Sequence, residues 1–242
     1  MRCAQGHAHD VARQGYLNLL PGGARAGTAD TAAMVDARAR FLATGRYAPL
    51  TEALAAAVPA GAGAVVDVGA GTGHHTARVL EAVGGTGVAL DLSKHAARRA
   101  ARAHPRLASV VADAWAPLPL ADGTARAVLT VFAPRAAEEA ARVLAPGGRL
   151  VVAVPTGWHL RALVDGLGLV TVDPRKQERL EARLAGWTRV QDVLVERPLA
   201  LTADEVALIV AMGPSSRHAP AAPTGPATTA LSVRVSTWAP PG

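Results

Sequence analysis

The sequence predicts an α/β protein built on a doubly wound, mostly parallel sheet of seven strands. Short apolar runs alternate with helical stretches from residue 64 onward. A glycine cluster marks the first of these strand-to-helix turns. Half of the 242 residues are hydrophobic and only 18% are charged, enough apolar material for one large buried core. Strands alternating with helices imply right-handed βαβ units, and those produce a parallel sheet covered on both faces.

The elements follow in order. Residues 1–29 are polar and glycine-bearing, with one short apolar stretch from Tyr16 to Leu20. Residues 30–58 read as two helices, with Met34, Val35, Ala39, Phe41 and Leu42 as an apolar stripe and a break at Gly45 and Pro49. From residue 59 the pattern becomes regular. Strands are expected at Ala64 to Val68, Gly87 to Leu92, Leu107 to Ala112, Ala127 to Phe132 and Arg149 to Val154. Helices are expected between them at Thr72 to Val83, Ser93 to His104 (opened by a Ser93 cap) and Ala136 to Leu144, the last stopped by Pro146-Gly147-Gly148. Beyond lie helices at Trp158 to Leu169, Lys176 to Ala185 and Thr202 to Met212. Val190 to Leu201 and Leu231 to Trp238 supply the last two strands, and a proline-rich loop lies between Pro214 and Pro226. The expected organisation is a small N-terminal unit (1–29), a helical linker that could act as a lid (30–58) and the main domain (59–242).

Composition excludes several classes. No apolar run has membrane-spanning length, residues 1–10 lack the apolar centre of a signal peptide, and a single cysteine excludes an internal disulfide framework. A cytoplasmic protein with no membrane partner is expected. The formal charge of +6 comes almost wholly from arginine, since Lys94 and Lys176 are the only lysines. A planar guanidinium suits phosphate and base edges, so the balance points weakly to nucleic acid, although a GC-rich coding sequence accounts for it equally well.

The chemistry concentrates in Asp67-Val68-Gly69-Ala70-Gly71-Thr72-Gly73. Glycines at a strand-to-helix turn admit a ligand to the backbone, and the helix that follows offers unpaired N–H donors. The spacing is not the G-x-G-x-x-G of dinucleotide sites, because the third glycine comes one residue early. It resembles the S-adenosylmethionine loop of Rossmann-like class I methyltransferases. Asp91, at the end of the second strand, can accept both hydroxyls of a ribose, and the resemblance to class I methyltransferases implies that Asp113, after the third, faces the adenine amino group. The end of the fourth strand, with Phe132, Pro134 and Arg135, would then face the methyl acceptor, where Phe132 could stack on a base. An already activated methyl group demands in-line positioning more than acid, base or metal.

The stretches Cys3 to Leu20 and Asp30 to Leu50, then DVGAGTGHH and VFAPR, resemble the 23S rRNA (guanine-N1)-methyltransferase family. The likeness is nearest to its tylosin-resistance branch, which shares MGPSS (Met212 to Ser216 here). The resemblance implies a cofactor site of Asp67, Gly69, Gly71, Gly73, His74, His75, Asp91 and Asp113. It implies methylation of guanine N1 in a hairpin of 23S rRNA at the peptide exit tunnel, contributing to macrolide resistance. Arg13, Arg25, Arg38, Arg40 and Arg46 are candidates for RNA phosphates on charge alone. His74, His159 and Arg135 are candidates for handling the guanine N1 proton. The family begins with a zinc finger whose second ligand pair Cys3 and His7 match, while its first C-x-x-C pair has no counterpart in this sequence. Two ligands cannot close a tetrahedral zinc site, so a finger remnant is expected; a homodimer would bring two such pairs together. Where the family has a helix before the last strand, this sequence has the short APTGPATT. A small-molecule methyltransferase and an inactive copy share the loop and stay open as alternatives.

Overall fold

A computed structural model of the chain describes residues 9–21, 29–133, 137–171, 173, 175–213, 215–216 and 225–241. Two helices, α1 (Ala32–Ala43) and α2 (Ala48–Ala57), precede the alternating region. It comprises β2 (Ala64–Val68), α3 (His74–Val83), β3 (Gly87–Asp91), α4 (Lys94–Ala100), β4 (Leu107–Val111), β5 (Ala125–Val131), α5 (Ala137–Val143) and β6 (Leu144–Pro155). Helices α6 (Arg161–Leu167) and α7 (Lys176–Arg183), β7 (Thr188–Leu201), α8 (Ala203–Met212) and β8 (Ala227–Ala239) complete it. The strand order is β1-β4-β3-β2-β5-β6-β8-β7, with β1 being Tyr16–Asn18. All pairings are parallel except those of β8 with β6 and β7.

The seven expected strands are all present, and β1 adds an eighth from within residues 1–29. It runs parallel to β4, with Tyr16, Leu17 and Asn18 opposite Ser109, Val110 and Val111. Other boundaries move for local reasons. Pro49 is not a breaker: it sits in the first turn of α2, where a missing N–H costs nothing, and the break is the turn at residues 44–47. Gly147 and Gly148 belong to the long strand β6, which begins directly after α5. The helix expected over Trp158 to Leu169 shortens to α6, most of the loop expected from Pro214 to Pro226 lies outside the described residues, and the end of the APTGPATT segment, Ala227 to Thr229, already belongs to β8.

Alternation along the strands sends side chains to two cores. Ala127 and Leu129 of β5 face one, with Phe41 and Leu42 of α1, Leu50 and Leu54 of α2, Val79 and Leu80 of α3 and Ile209 of α8. Val128 faces the other, with Leu150, Val152, Val143 of α5 and Leu180 of α7. Fully buried leucines such as Leu50 and Leu54 each contribute about 1.5–3 kcal/mol, so α1 and α2 are bound into the sheet's core rather than strung beside it. The strand order reverses between β2 and β5, and the crevice beyond the carboxyl ends of the strands at that reversal is where open α/β sheets hold ligands.

Candidate active site

The loop after β2 lies in that crevice. Gly69, Gly71 and Gly73 have φ of 77°, 55° and 71°, the left-handed region that a side chain resists. Gly73 is doubly constrained, since a Cβ there would sit 3.0 Å from the Cα of Ala100, where α3 packs on α4. The N–H groups of Gly69 and Ala70 both donate to the Leu90 carbonyl, at 2.8 and 3.0 Å, which folds the loop over the end of β3. Asp91 then fixes it: one carboxylate oxygen accepts from the Gly71 N–H and the other from the Ser93 N–H, each at 2.8 Å. Ser93 caps α4 as expected, accepting from Ala96 N–H at 3.3 Å.

Asp67 is buried at the end of β2. Its Oδ2 accepts from the Thr76 hydroxyl, while its Oδ1 and the buried Thr72 hydroxyl have no hydrogen-bond partner among the described residues. Burial pushes the Asp67 carboxyl up to about 7, opposed by the Thr76 hydroxyl and reinforced by the Asp91 charge. Burial also raises Asp91, against the two backbone N–H groups that stabilise its ionised form. Asp113 follows β4, half-buried, with one oxygen accepting from Trp115 N–H at 2.9 Å. Three acids thus stand at the carboxyl ends of the adjacent strands β2, β3 and β4. Together with two unsatisfied buried oxygens and a glycine-lined backbone, they cluster hydrogen-bond acceptors suited to a polar ligand carrying hydroxyl and ammonium donors.

The histidines divide. His74 opens α3 beside the loop, its pKa lowered by burial first and the Arg78 charge second. His75 turns to α2, with Nδ1 2.8 Å from the Thr51 hydroxyl, and burial pulls it down to about 3. Its contact ties α3 to α2.

On the other side of the reversal, Phe132 follows β5 with φ of 56°, exposed to 38%. His159 packs beside it at a ring separation of 5.6 Å. Its Nδ1 accepts from Ser232 N–H at 3.3 Å, and its Nε2 lies 3.1 Å from the Tyr47 hydroxyl. A neutral ring that accepts at Nδ1 carries its proton on Nε2, so Nε2–H donates to Tyr47. Burial holds His159 down to about 4, and the Lys176 charge adds to this, while burial raises the Tyr47 phenol. Both imidazole nitrogens are therefore engaged, and His159 supports Phe132 rather than standing free as a base. Tyr47 and Ser232 escape a sequence reading because their partner lies 112 and 73 residues away. Thr72 stands inside the loop motif and is readable there. Pro134 and Arg135 lie outside the described residues.

The arginines also separate. Arg38 pairs with Asp30 beside the loop, Nη2 donates to the Met212 carbonyl at 2.9 Å, and Nη1 lies 3.5 Å from where a Gly71 Cβ would be. Arg46 makes a two-pronged pair with Glu205 of α8, at 2.8 and 3.1 Å. Arg13 and Arg40 are exposed, and Arg25 lies outside the described residues, as do Cys3 and His7. Among the described residues no group of three or more His, Cys, Asp or Glu is placed to hold a metal, and no helix is long and apolar enough to cross a membrane.

Comparison with known proteins agrees with this geometry. A family model described as "Methyltransferase domain" matches residues 65–148, and one described as "RlmA, N-terminal" matches residues 1–25. The chain is 52% identical to a 23S rRNA (guanine(748)-N(1))-methyltransferase of Streptomyces fradiae, over 90% of this chain and 80% of the relative. It is 45% identical to a putative 23S rRNA (guanine-N(1)-)-methyltransferase of Micromonospora griseorubida, over 99% and 90%. Among solved structures, a putative methyltransferase in complex with the Haloferax volcanii Trm112 methyltransferase activator superposes with a TM-score of 0.57 at 20% identity, over 87% of this chain and 97% of that one. An S-adenosylmethionine-dependent methyltransferase of Geobacter sulfurreducens, in complex with S-adenosyl-L-homocysteine, gives 0.50 at 17%, over 78% and 90%. The structural matches carry the fold, and the two relatives, each spanned for most of its length, carry more: this chain belongs to the 23S rRNA (guanine-N1)-methyltransferase family.

Proposed function

We propose that this chain transfers the methyl group of S-adenosylmethionine to N1 of a guanine in 23S rRNA, at guanine 748 as in the name of its Streptomyces relative. The observation that carries the reading is the cluster of Asp67, Asp91 and Asp113 at the strand ends beside three left-handed glycines, with Asp67 Oδ1 and the Thr72 hydroxyl buried and unsatisfied. Asp91 would accept the ribose hydroxyls through lone pairs left free by Gly71 and Ser93. Asp67 and Thr72 would meet the methionine end, Asp113 the adenine, and Gly69 and Gly73 the backbone approach, with His74 and His75 at the start of α3. The cofactor supplies a methyl group on sulfonium sulfur, ready for displacement.

The chain's remaining task is to hold the acceptor in line. Phe132, exposed at the end of β5 and backed by His159, offers a face on which a base can stack. Pro134 and Arg135, next in sequence, would border the same base. Of the imidazoles that the sequence offers for the guanine N1 proton, His74, whose pKa burial lowers, makes no hydrogen bond among the described residues and is the one we assign to accept it. Residues 1–29 are proposed as a zinc-finger remnant with Cys3 and His7, and residues 30–58 as a cover over cofactor and RNA. Macrolide resistance of the tylosin type, a cytoplasmic location and a homodimer complete the reading.

The test is transfer of labelled methyl to unmodified 23S rRNA, then reverse transcription. A methyl at guanine N1 blocks pairing, so one new stop in the tunnel hairpin is expected. No transfer from a protein that binds S-adenosylhomocysteine would overturn the RNA acceptor in favour of a small molecule. Growth on tylosin of a sensitive host expressing the protein tests the resistance.

A further inference from the structure

A second surface adjoins the cofactor pocket. Helices α1, α3 and α4 line an open groove of about 670 Å³, to which Thr72 and His74 also contribute. Its charge is arranged by helical geometry. His95, Arg98, Arg99 and Arg102 fall at i, i+3, i+4 and i+7 and share one stripe along α4 and the turn after it, while Ala96, Ala97 and Ala100 on the opposite side are buried against the sheet. Arg78, one turn beyond His74 on α3, lines the facing wall. Four arginines therefore converge on one groove.

Their partners are few and weak. Arg78 pairs with Glu81 on its own helix at 2.8 Å, both well exposed. Arg99 reaches Asp36 of α1 at 3.7 Å across the groove, again between exposed side chains. Arg98 and Arg102 make no ion pair among the described residues. Exposed pairs of this kind contribute little and are readily exchanged. The stripe is not needed to hold α4 in place, since buried alanines do that.

We infer that this groove holds the phosphate backbone of the RNA substrate, leading it past the cofactor loop, with Arg98 and Arg102 as its principal anchors and Asp36 as the group a phosphate displaces from Arg99. The inference rests on the 23S rRNA reading above and deepens it. Arginine forks match phosphate oxygens, and side chains three and four residues apart on a helix stand about 5–6 Å apart at Cβ. That is the scale of the step between successive phosphates on one strand. Thr72 of the cofactor loop and His74 at the start of α3 also line the groove, so a backbone lying in it passes beside that loop. Unlike Arg38 and Arg46, these arginines present charge that is open to an outside partner.

Binding of the whole protein to a 23S rRNA transcript, followed through a salt titration, tests this. In Arg98→Ala/Arg102→Ala we expect affinity to fall at least about fivefold and the slope of log K against log salt to shrink by about 0.7–0.9 for each phosphate that is no longer neutralised. The double Lys variant should keep most of the slope. Asp36→Asn should bind RNA more tightly than the unmodified protein. Calorimetric affinity for S-adenosylhomocysteine should be the same in all of them. If the unmodified protein methylates 23S rRNA and the double Ala variant binds with unchanged affinity and slope, the groove inference is overturned while the functional reading stands. If the unmodified protein neither binds nor methylates 23S rRNA, the functional reading fails and the groove falls with it.

Discussion

Burial pushes the Asp67 carboxyl up to about 7, against the Thr76 hydroxyl and with help from Asp91, and this has two measurable effects. In the unfolded chain the same carboxyl ionises near 3.9. Between about pH 4 and pH 7 the folded chain keeps a proton that the unfolded chain has lost, so stability falls as pH rises through that window and levels off above it. The slope for one proton is at most about 1.4 kcal/mol per pH unit. Urea melts across the window should show the unmodified protein losing stability with pH, and Asp67→Asn losing less. The second effect is on the ligand. A cofactor that brings an ammonium group to Asp67 favours the ionised carboxylate, so affinity for S-adenosylhomocysteine should rise from about pH 6 to pH 8. In Asp67→Asn that rise should vanish; a variant titrating like the unmodified protein would remove Asp67 from the binding event. The sequence supplied the identity of this residue through its place before the glycines. Its proton affinity was not legible, because it depends on burial and on Asp91, brought near by the pairing of β2 with β3.

Elements show a similar division. Strands β2 to β6 were readable because each is a short apolar run followed by polar or glycine residues, the local signature of a strand buried on both faces. Helix α8 was readable too: Thr202 caps it, and Glu205 closes the reciprocal box by accepting from the Thr202 N–H at 2.9 Å. Glu205 serves a second partner, Arg46, which ties α8 to the turn before α2. Thr202→Ala should cost about 1 kcal/mol by removing the cap, read as a shift of the urea midpoint at unchanged m-value. Glu205→Ala should cost more than Thr202→Ala, since it removes both the acceptor of the Thr202 N–H and the charge facing Arg46. By contrast Pro49 misled as a breaker, because a proline in a first helical turn looks locally the same as one after a last turn. Arg38 and Arg46 looked like free cations for want of any sign of Asp30 packing beside the loop or of Glu205 arriving from 159 residues away.

For the molecule as a whole, the feature least visible in the sequence is β1. Three residues cannot announce a strand, and nothing near Tyr16 reveals that its partner is Ser109. The pairing makes part of the N-terminal segment the edge of the main sheet, with Leu17 packed on the second core, so the division at residue 29 does not separate two independent bodies among the described residues. Leu17→Ala should cost about 1–2 kcal/mol and lower Tm by about 2–8 °C in a calorimetric scan. A Tm unmoved by that change would mean that β1 contributes nothing to the sheet. The parallel sheet, its reversal and the crevice were legible at this scale because alternation is a property of the entire pattern and survives errors at individual boundaries.

Phe132 puts an aromatic ring where backbone geometry would choose glycine. At φ of 56° a bulky side chain works against the turn, at a cost on the order of 1–3 kcal/mol that glycine would not incur. The position is thus one at which the fold and the reaction would select different residues. Phe132→Gly should leave the protein as hard to melt as before, or harder, and still strip it of methyl transfer. A chain carrying that change, sound in its fold and idle in methyl transfer, would show that the ring is kept for the reaction rather than for the turn.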